Sequence, residues 1–334
     1  MKAIALLSGG LDSTLATKVI MEQGVGLEAL NFMTVFCTCT HRGATCLASQ
    51  KAVETLGIPL KVLNVSEEYL SVVKHPKHGY GRNMNPCIDC RIFMLKKAKA
   101  HMEASGASFI VTGEVLGQRP MSQRRDAMRL IEKEAGLEGF ILRPLSAQVL
   151  PVTIPEKEGW VDREKLLKIQ GRSRKPQMEL AEHYGVHDYP CPAGGCLLTD
   201  PGFAKRMKDL MVHDPDFSLN DVHLLKMGRH FRFSHGAKLV VGRQEEENQK
   251  IQTFAQGEDI LFKVSSFPGP LSLLRGKLDE GDIEKAAAIT AHYSKAKDLR
   301  NIEVTYKSPD EDHPQSLLAS PISRGEVERW MINE

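Results

Sequence analysis

Hydrophobic and polar positions in the first two hundred residues alternate between short apolar runs and longer amphipathic stretches. The short runs predict β-strands and the amphipathic stretches predict α-helices. The strands are expected at 4–7, 26–35, 60–65 and 108–112, and the helices at 11–22, 46–56 and 90–104. This βαβ order is typical of a parallel sheet with helices on both faces, whose binding sites lie at the carboxyl ends of the strands.

The pattern changes after Asp200-Pro201, where short β-type runs separated by turn residues replace the βαβ order. The elements expected there are strands at 238–241, 260–264 and 302–306, and a helix at 282–293. The acidic run 245–247 is expected to be a solvated turn. We therefore predict an α/β domain with a parallel sheet at 1–200 and a C-terminal α+β domain at 201–334.

The composition is that of a soluble globular chain, with 42% hydrophobic and 26% charged residues in 334. No apolar run has the roughly 18 residues that a bilayer crossing needs, and the N-terminus does not resemble a secretory signal. We therefore expect a cytoplasmic protein without membrane contact. Because the net charge is only +2, a nucleic-acid partner would have to bind local basic patches.

The seven cysteines lie at 37, 39, 46, 87, 90, 191 and 196. Disulfides are disfavoured in the cytoplasm, so the set favours metal binding or thiol chemistry. Cys87 and Cys90 have C-x2-C spacing at a predicted helix start, which lets two thiolates bind one metal and is expected to lower their pKa. Together with Cys191 and Cys196 they leave three alternatives: structural zinc, a thiol pair that passes a persulfide, or an iron–sulfur cluster held by three cysteines.

A glycine pair, Gly9-Gly10, stands between the first predicted strand and the first predicted helix. Unpaired N–H groups and the helix dipole make such a helix start an anion site, and glycine permits positive φ and close backbone approach. Ser8 and Ser13 can donate hydroxyl groups, while Asp12 either caps the helix or positions a metal ion. The alternative is an ordinary turn with a Ser or Asp cap. The G-K-[ST] ending of the Walker loop is absent, which disfavours kinase-type transfer.

Ser-Gly-Gly-Leu-Asp-Ser at 8–13 resembles the SGGxDS loop of the PP-loop ATP pyrophosphatases. This resemblance implies that ATP is cut between its α- and β-phosphates and that a carbonyl oxygen is adenylated and then displaced. The segment 112–118, Thr-Gly-Glu-Val-Leu-Gly-Gln, and the Arg-Pro-Leu turn at 143–145 resemble tRNA 4-thiouridine synthetases. The ATP-binding residues implied are Ser8, Gly9, Gly10, Asp12, Ser13, Asn31, Thr112, Gly113 and Gln118.

A PP-loop combined with a Pro-Cys-x-x-Cys pair and a distant cysteine is similar to the cluster-dependent tRNA thiolases. The resemblance implies ATP, Mg²⁺ and a 4Fe-4S cluster as cofactors, with Zn²⁺ as the alternative. Cys196 is preferred as third ligand because its Gly-Gly-Cys-Leu turn resembles that of the cluster-free 2-thiouridylases, and Cys191 is the substitute. The implied metal ligands are Cys87, Cys90 and Cys196, and with Asp12 they are the implied catalytic residues.

Cys37, Cys39 and Cys46 follow the second predicted strand and are left unassigned. A second metal site that includes His41, a sulfur relay and unpaired loop thiols all remain open.

Residues from about 225 to 310 resemble the RNA-binding domain of NFACT proteins. The matching segments are 241–243 with Asn248, 259–260, 268–270, 287–294 and 304–306. Leu261-Phe262-Lys263 replaces the Trp-Phe-His of that family, which puts RNA contacts of individual residues in doubt. The basic segments 123–125 and 172–175 suit either an RNA phosphate track or solvated turns.

The combined expectation is an ATP-dependent tRNA uridine thiolase that forms 4-thiouridine, with sulfur from a cluster or a cysteine persulfide. The partners expected are tRNA and a sulfur donor, either sulfide or a persulfide carrier, and a homodimer is left open. The alternatives are a 2-thiouridylase, another PP-loop adenylating enzyme, and a zinc-containing RNA- or ribosome-binding factor without thiolase activity.

Overall fold

The computed structural model describes residues 1–38, 45–187, 189, 196–233 and 236–332, with the backbone alone at 45–47. It divides into two compact units, Met1–Thr199 and Asp200–Glu334. Four of the residues discussed above fall outside the described part: Cys39, His41, Cys191 and the side chain of Cys46. None of the described helices combines the length and the hydrophobicity that a bilayer crossing needs.

The first unit carries a five-stranded sheet of order β3-β2-β1-β4-β5, and all neighbouring strands are parallel. The strands are β1 (Lys2–Leu6), β2 (Gly26–Met33), β3 (Leu60–Asn64), β4 (Phe109–Thr112) and β5 (Ile141–Leu142). The helices are α1 (Leu11–Met21), α2 (Thr45–Leu56), α3 (Ser66–Lys74), α4 (Cys87–Ala104), α5 (Arg125–Ala135), α6 (Ile154–Lys157) and α7 (Lys175–His183). The predicted parallel α/β fold is confirmed.

Successive residues of the central strands point into two different cores. Ala3, Ala5 and Val111 pack with residues of α1 and α7, whereas Ile4 and Ile110 pack with residues of α4 and α5. Side chains of a strand alternate between the two faces of a sheet, so a strand covered on both sides needs apolar residues at every position. This requirement explains the uninterrupted apolar runs in the sequence.

Helices α5 and α6 were not predicted, and two further helices that differ from expectation matter for the site. Helix α4 begins at Cys87 rather than at Cys90, so both cysteines of the C-x2-C pair lie in its first turn. Helix α3 was not predicted, and its Tyr69 is fully buried, with 1% of its surface exposed. Both helices border the site described below.

The second unit carries a six-stranded sheet of order β11-β10-β8-β9-β7-β6, and its paired neighbours are antiparallel. The strands are β6 (Arg229–Arg232), β7 (Lys238–Val241), β8 (Ile260–Val264), β9 (Ser272–Arg275), β10 (Ile302–Lys307) and β11 (Gln315–Ala319). The helices are α8 (Pro201–His213), α9 (Leu219–Leu224), α10 (Glu245–Phe254), α11 (Asp282–His292) and α12 (Arg324–Trp330). The predicted C-terminal α+β fold is confirmed.

Both faces of this second sheet are covered as well. Leu239 and Leu274 pack with the alanine-rich face of α11, whereas Val240 and Leu273 pack with residues of α9 and α10. The acidic run 245–247 is the first turn of α10 and not the solvated turn that the sequence predicted. Carboxylates at this position are favoured by the positive end of the helix dipole.

Candidate nucleotide and thiol site

The turn between β1 and α1 requires glycine at its centre. Gly9 has φ +74°, and a Cβ there would lie 2.5 Å from the carbonyl carbon of Ala48 and from the amide nitrogen of Ser49. The N-cap of α1 is Gly10, which makes no side-chain cap. The alternative of an ordinary turn closed by a Ser or Asp cap is therefore wrong, and the first N–H groups of α1 remain available to a ligand.

Two serine hydroxyls face each other across this turn. Ser8 Oγ and Ser13 Oγ lie 3.2 Å apart, and Ser13 Oγ donates to the carbonyl oxygen of Gly10 over 2.9 Å. The amide of Ser8 donates to Ser13 Oγ over 3.3 Å. Both hydroxyl groups therefore stand at the helix start; the Ser8 hydroxyl can donate to an anion there, while the proton of Ser13 is donated to Gly10.

The carboxyl end of β4 makes a close approach to the same helix start. A Cβ on Gly113 would lie 2.5 Å from the amide nitrogen of Ser13 and 2.6 Å from the carbonyl carbon of Asp12. The neighbouring Thr112 is buried. Gly113 is therefore needed because two pieces of backbone touch at this point.

Asp12 is held by side chains from two other segments. Its Oδ2 accepts from Gln118 Nε2 over 2.8 Å and from Arg174 Nη2 over 3.2 Å. Gln118 Oε1 in turn accepts from Gln177 Nε2 over 3.1 Å. Asp12 Oδ1 is buried and has no hydrogen-bond partner among the described residues. A buried carboxyl oxygen without a hydrogen-bond partner fits Mg²⁺, which prefers hard oxygen ligands.

A cavity of about 390 Å³ opens at the carboxyl ends of the strands. Nine of the predicted site residues line it: Ser8, Gly10, Asp12, Ser13, Asn31, Thr112, Gly113, Cys90 and Cys196. Gly9, Gln118 and Cys87 do not line it, although Gln118 contacts Asp12 and Gly9 shapes the turn. Asn31 lies inside β2, and its Nδ2 donates to the carbonyl oxygen of Leu7 over 2.7 Å, which leaves its amide oxygen to face a ligand.

The thiols of Cys90 and Cys196 enter the cavity from parts of the chain about a hundred residues apart. The turn that follows Cys196 is fixed by two backbone hydrogen bonds. Leu197 N donates to the carbonyl oxygen of Phe36 over 2.9 Å, and Met84 N donates to that of Leu198 over 3.0 Å. Cys196 also forms an isolated antiparallel bridge with Cys37, which lines the cavity too.

The pKa values of these thiols contradict the expectation from the helix start. Burial raises the pKa of Cys87, Cys90 and Cys196 above the ordinary value. For Cys87, the positive charges of Arg119 and Arg91 offset only part of the burial effect. The local argument that a helix start lowers the pKa is therefore wrong here, because desolvation of the thiolate outweighs it.

The donor chemistry of these thiols suits a cluster, but a finished ligand arrangement is not present. Three or four thiols beside one cavity are the soft donors that iron–sulfur clusters and zinc prefer. In the part of the chain that the structure describes, however, no group of three or more His, Cys, Asp or Glu side chains is disposed to hold a metal ion. The thiols thus suit a cluster by their donor chemistry and their position at the cavity, but the side chains are not arranged as a set of metal ligands.

A buried ion network joins the two segments that resemble 4-thiouridine synthetases. Arg143 Nε donates to Glu114 Oε2 over 2.9 Å, and Arg143 also pairs with Glu132. Arg91 Nε lies 3.4 Å from Glu114 Oε1. Burial opposes the ionisation of Glu114, but the charges of Arg91 and Arg143 outweigh it and lower the pKa of this carboxyl. This network fixes the loop after β4 against β5.

Sequence reasoning missed Arg91, Arg119 and Tyr69, which line the cavity; Cys37 had been left unassigned, and Glu114 had been noted only as part of the segment 112–118. Arg174 was noted only as part of a basic segment, and its ion pair with Asp12 could not be foreseen. Gln123 belongs to a segment considered for an RNA phosphate track, but it is buried and lines the cavity. For the arginines and Glu114 the local signal was their charge, which does not reveal a partner.

Two regions of the chain match known family models. Residues 1–148 match the family described as thiamine biosynthesis protein (ThiI), and residues 228–331 match the family described as NFACT protein RNA binding domain. Among curated proteins, the chain is similar to the tRNA-specific 2-thiouridylase MnmA of Marinobacter nauticus. The identity is 27% over 237 residues, which make up 64% of this chain and 55% of that protein. The matches cover less than two thirds of the first curated relatives.

Two solved structures are also similar to the chain. One is a 4-thiouridine synthetase in complex with RNA and bound ATP, with 20% identity, 67% of this chain and 52% of that chain covered, and a TM-score of 0.37. The other is the U34-tRNA thiolase NcsA of Methanococcus maripaludis with its 4Fe-4S cluster, with 18% identity, 68% and 69% covered, and a TM-score of 0.32. Similarities this low carry no argument about function.

The parallel sheet, the glycine turn after its central strand and the uncapped helix start define the first unit as a PP-loop nucleotide-binding domain. Within that class, residues 1–148 are similar to the ThiI family, and residues 228–331 are similar to the NFACT RNA-binding domain. The resemblances to the PP-loop enzymes and to the NFACT RNA-binding domain are thus confirmed for the regions that carry them.

Proposed function

We propose that this chain is a cytoplasmic, ATP-dependent tRNA uridine thiolase and that its product is 4-thiouridine. One observation carries the proposal: the glycine turn of a nucleotide site and the thiols of Cys90 and Cys196 line the same cavity. Nucleotide activation and sulfur chemistry can then occur on one substrate atom. The match to an RNA-binding domain and the similarity to tRNA-specific 2-thiouridylases support the assignment to tRNA and to thiolation, with residues 1–200 as the catalytic domain and residues 201–334 as the RNA-binding domain.

In the proposed reaction, the ATP phosphates bind at the start of α1, where N–H groups and the Ser8 hydroxyl donate to them, and Ser13 Oγ holds the turn through its bond to the Gly10 carbonyl oxygen. Asp12, held by Gln118 and Arg174, directs its free Oδ1 toward the Mg²⁺ that accompanies ATP. The uridine carbonyl oxygen attacks the α-phosphorus, and the bond to the β-phosphate oxygen breaks, so that pyrophosphate leaves. A sulfur nucleophile then adds to the activated carbon, and AMP leaves with the former carbonyl oxygen.

The sulfur region is proposed to act through Cys87, Cys90 and Cys196. A 4Fe-4S cluster, if held by these three thiols, would supply sulfide for the second step. Sulfide would be the donor; with a persulfide carrier, the two electrons that convert its outer sulfur to sulfide would come from two of these thiols, which would close a disulfide. Because burial raises the pKa of the thiols, the uncoordinated side chains are neutral near pH 7. A direct persulfide route therefore needs a thiolate that forms only when substrate or a cation arrives.

A second candidate, 2-thiouridine formation, is favoured by the curated relatives, which are tRNA-specific 2-thiouridylases. The two products differ in the carbonyl that is activated, C4 or C2, while the chemistry of the cavity is the same for both. Analysis of the product nucleoside separates them.

The proposal is tested by incubating the full chain with ATP, sulfide and unmodified tRNA under anaerobic conditions and analysing the digested nucleosides by mass spectrometry. We expect 4-thiouridine, with AMP as the nucleotide product. Cys87→Ala should abolish thiolation and leave ATP binding intact, whereas Asp12→Ala should impair adenylation itself. If the tRNA remains unthiolated, or if ATP yields ADP, the proposal fails.

Iron, zinc and acid-labile sulfide are measured on the same anaerobic preparation. Iron and sulfide in stoichiometric amounts, lost in Cys90→Ala, would support the cluster. A colourless protein with one zinc per chain would exclude it and favour a structural metal in an RNA-binding factor.

A further inference from the structure

A second cavity, of about 470 Å³, lies within the second unit at the amino end of β6. Its charged and polar side chains are Arg206, Arg229, Arg243 and His230. Cavities of this size accommodate small ligands. Three guanidinium groups around one cavity form an environment for an anion, and arginine is suited to phosphate because its planar fork donates several hydrogen bonds.

Two of these arginines are held in place by contacts within the unit. The guanidinium of Arg229 lies over the ring of Tyr293, 4.5 Å from its centroid. Arg206 Nε donates to the carbonyl oxygen of Leu225 over 3.0 Å. An arginine fixed in this way loses less conformational entropy when it binds a ligand. Arg243 is exposed and stands at the cavity mouth directly after β7.

His230 adds a different kind of group to the cavity. It is 2% exposed, and its Nε2 lies 2.7 Å from the carbonyl oxygen of Met227. A carbonyl oxygen can only accept, so Nε2 carries the proton. Burial, and next the charge of Lys238, lower the pKa of His230 well below its ordinary value, so the ring is neutral and Nδ1 is an acceptor. Nδ1 is buried without a hydrogen-bond partner among the described residues.

A ligand that satisfies both features must combine a negative charge with a hydrogen-bond donor. A phosphodiester group alone supplies the charge but carries no hydroxyl that could donate to Nδ1, whereas inorganic phosphate keeps one near neutral pH and would satisfy both features. The backbone of RNA supplies both, since the 2′-hydroxyl can donate and the adjacent phosphate is negative, whereas DNA lacks the hydroxyl.

We propose that this cavity binds a ribose-phosphate unit of RNA, with Arg206, Arg229 and Arg243 around the phosphate and His230 Nδ1 accepting from the 2′-hydroxyl. The inference rests on the proposed role of the second domain in RNA binding and extends it to a site that selects RNA over DNA. The motif residues Asn248 and Asp259 are not part of this site. Asn248 Oδ1 accepts from Leu271 N over 3.0 Å, and Asp259 pairs with Arg275, so both have structural roles.

The test uses the full chain without ATP and measures binding of a short oligouridylate and of the deoxyuridine oligomer of the same length by fluorescence anisotropy. His230→Phe should weaken RNA binding about tenfold, the loss of one well-made hydrogen bond, and leave DNA binding unchanged. Arg243→Gln should weaken both several-fold and make the salt dependence of log K shallower by about 0.7. Arg300→Gln, an exposed arginine of the same unit that does not line the cavity, is the matched control and should change neither.

A measurement on the unaltered chain guards against misfolding of the His230 variant. Phenylglyoxal modifies accessible arginines, and modified positions are mapped by mass spectrometry. The oligouridylate should protect Arg229 and Arg243 at concentrations where the deoxyuridine oligomer does not. Equal protection by the two oligomers, no protection by either, or an equal loss of RNA and DNA binding in His230→Phe would overturn the inference. AMP is added as a competitor, and it distinguishes a free nucleotide from a polymer as the ligand. A chain without thiolase activity that still passes these tests would contradict the proposed function alone.

Discussion

The contact between Gly113 and the start of α1 makes a sharp prediction for the substitution Gly113→Ala. The added Cβ would lie 2.5 Å from Ser13 N, where an ordinary contact is at least 3.4 Å, so one backbone segment must retreat by about 0.9 Å. Overpacking of this kind costs about 1–3 kcal/mol of folding free energy. Because the atoms that must move belong to the helix start, a displacement of about 1 Å there should slow the adenylation step about 100-fold.

The assay combines ATP binding by isothermal titration calorimetry, AMP formation with tRNA, and urea unfolding of the same preparations. Gly325→Ala is the control, since a Cβ at Gly325 meets no atom within 4 Å; it should behave as wild type in all three. A folded Gly113→Ala protein with wild-type ATP affinity and wild-type AMP formation would refute the claim that phosphate binds at this helix start.

Three further predictions concern stability and thiol reactivity. Arg143→Met should destabilise the first domain by about 3–5 kcal/mol in urea unfolding, because it leaves the buried Glu114 without its closest cation; a change below 1 kcal/mol would show that the pair is solvated. Burial lowers the pKa of Lys238 to about 7. Between about pH 7 and 10 the unfolded state therefore binds more protons than the folded state, and the free energy of unfolding of the wild type should rise with pH relative to that of Lys238→Met. A difference in unfolding free energy between the two proteins that stays constant across this range would contradict the burial of the Lys238 amine. Mild oxidation with diamide should join Cys37 to Cys196. The hydrogen bond from Leu197 N to the Phe36 carbonyl oxygen flanks their bridge, so the two cysteines form a non-hydrogen-bonded antiparallel pair, whose Cα atoms are typically about 4.5 Å apart. Peptide mapping that finds another disulfide pairing would contradict this arrangement.

The fold was largely predictable because burial on both sides leaves a continuous apolar signal in a strand. Strand β5 was missed because it has only two residues, Ile141–Leu142, too few to show a period. In the second unit, β6, β9 and β11 were also missed, and the short strands β6 and β9 lie among turn residues that conceal them. Short strands are specified by their neighbours in the sheet rather than by their own composition.

The site was predictable where one local segment defines it and not where distant segments meet. The glycine turn carries its geometry in its own residues, so Gly9 was assigned to it from the sequence alone. The pairing of Glu114 with Arg143, and of Cys37 with Cys196, depends on tertiary contacts that leave no local mark. The pKa of Cys87 was expected in the wrong direction for the same reason, because a helix start is visible in sequence but burial of its side chains is not.

The central claim, that a base carbonyl of tRNA is adenylated, is tested most directly by following the carbonyl oxygen. Transfer RNA that contains uridine labelled with ¹⁸O at C4 is incubated with the full chain, ATP and sulfide, and the AMP is analysed by mass spectrometry. The account predicts that AMP carries the label in a one-to-one ratio with thiouridine formed, and a label placed at C2 should stay in the tRNA. Unlabelled AMP, or ADP in place of AMP, would contradict the claim.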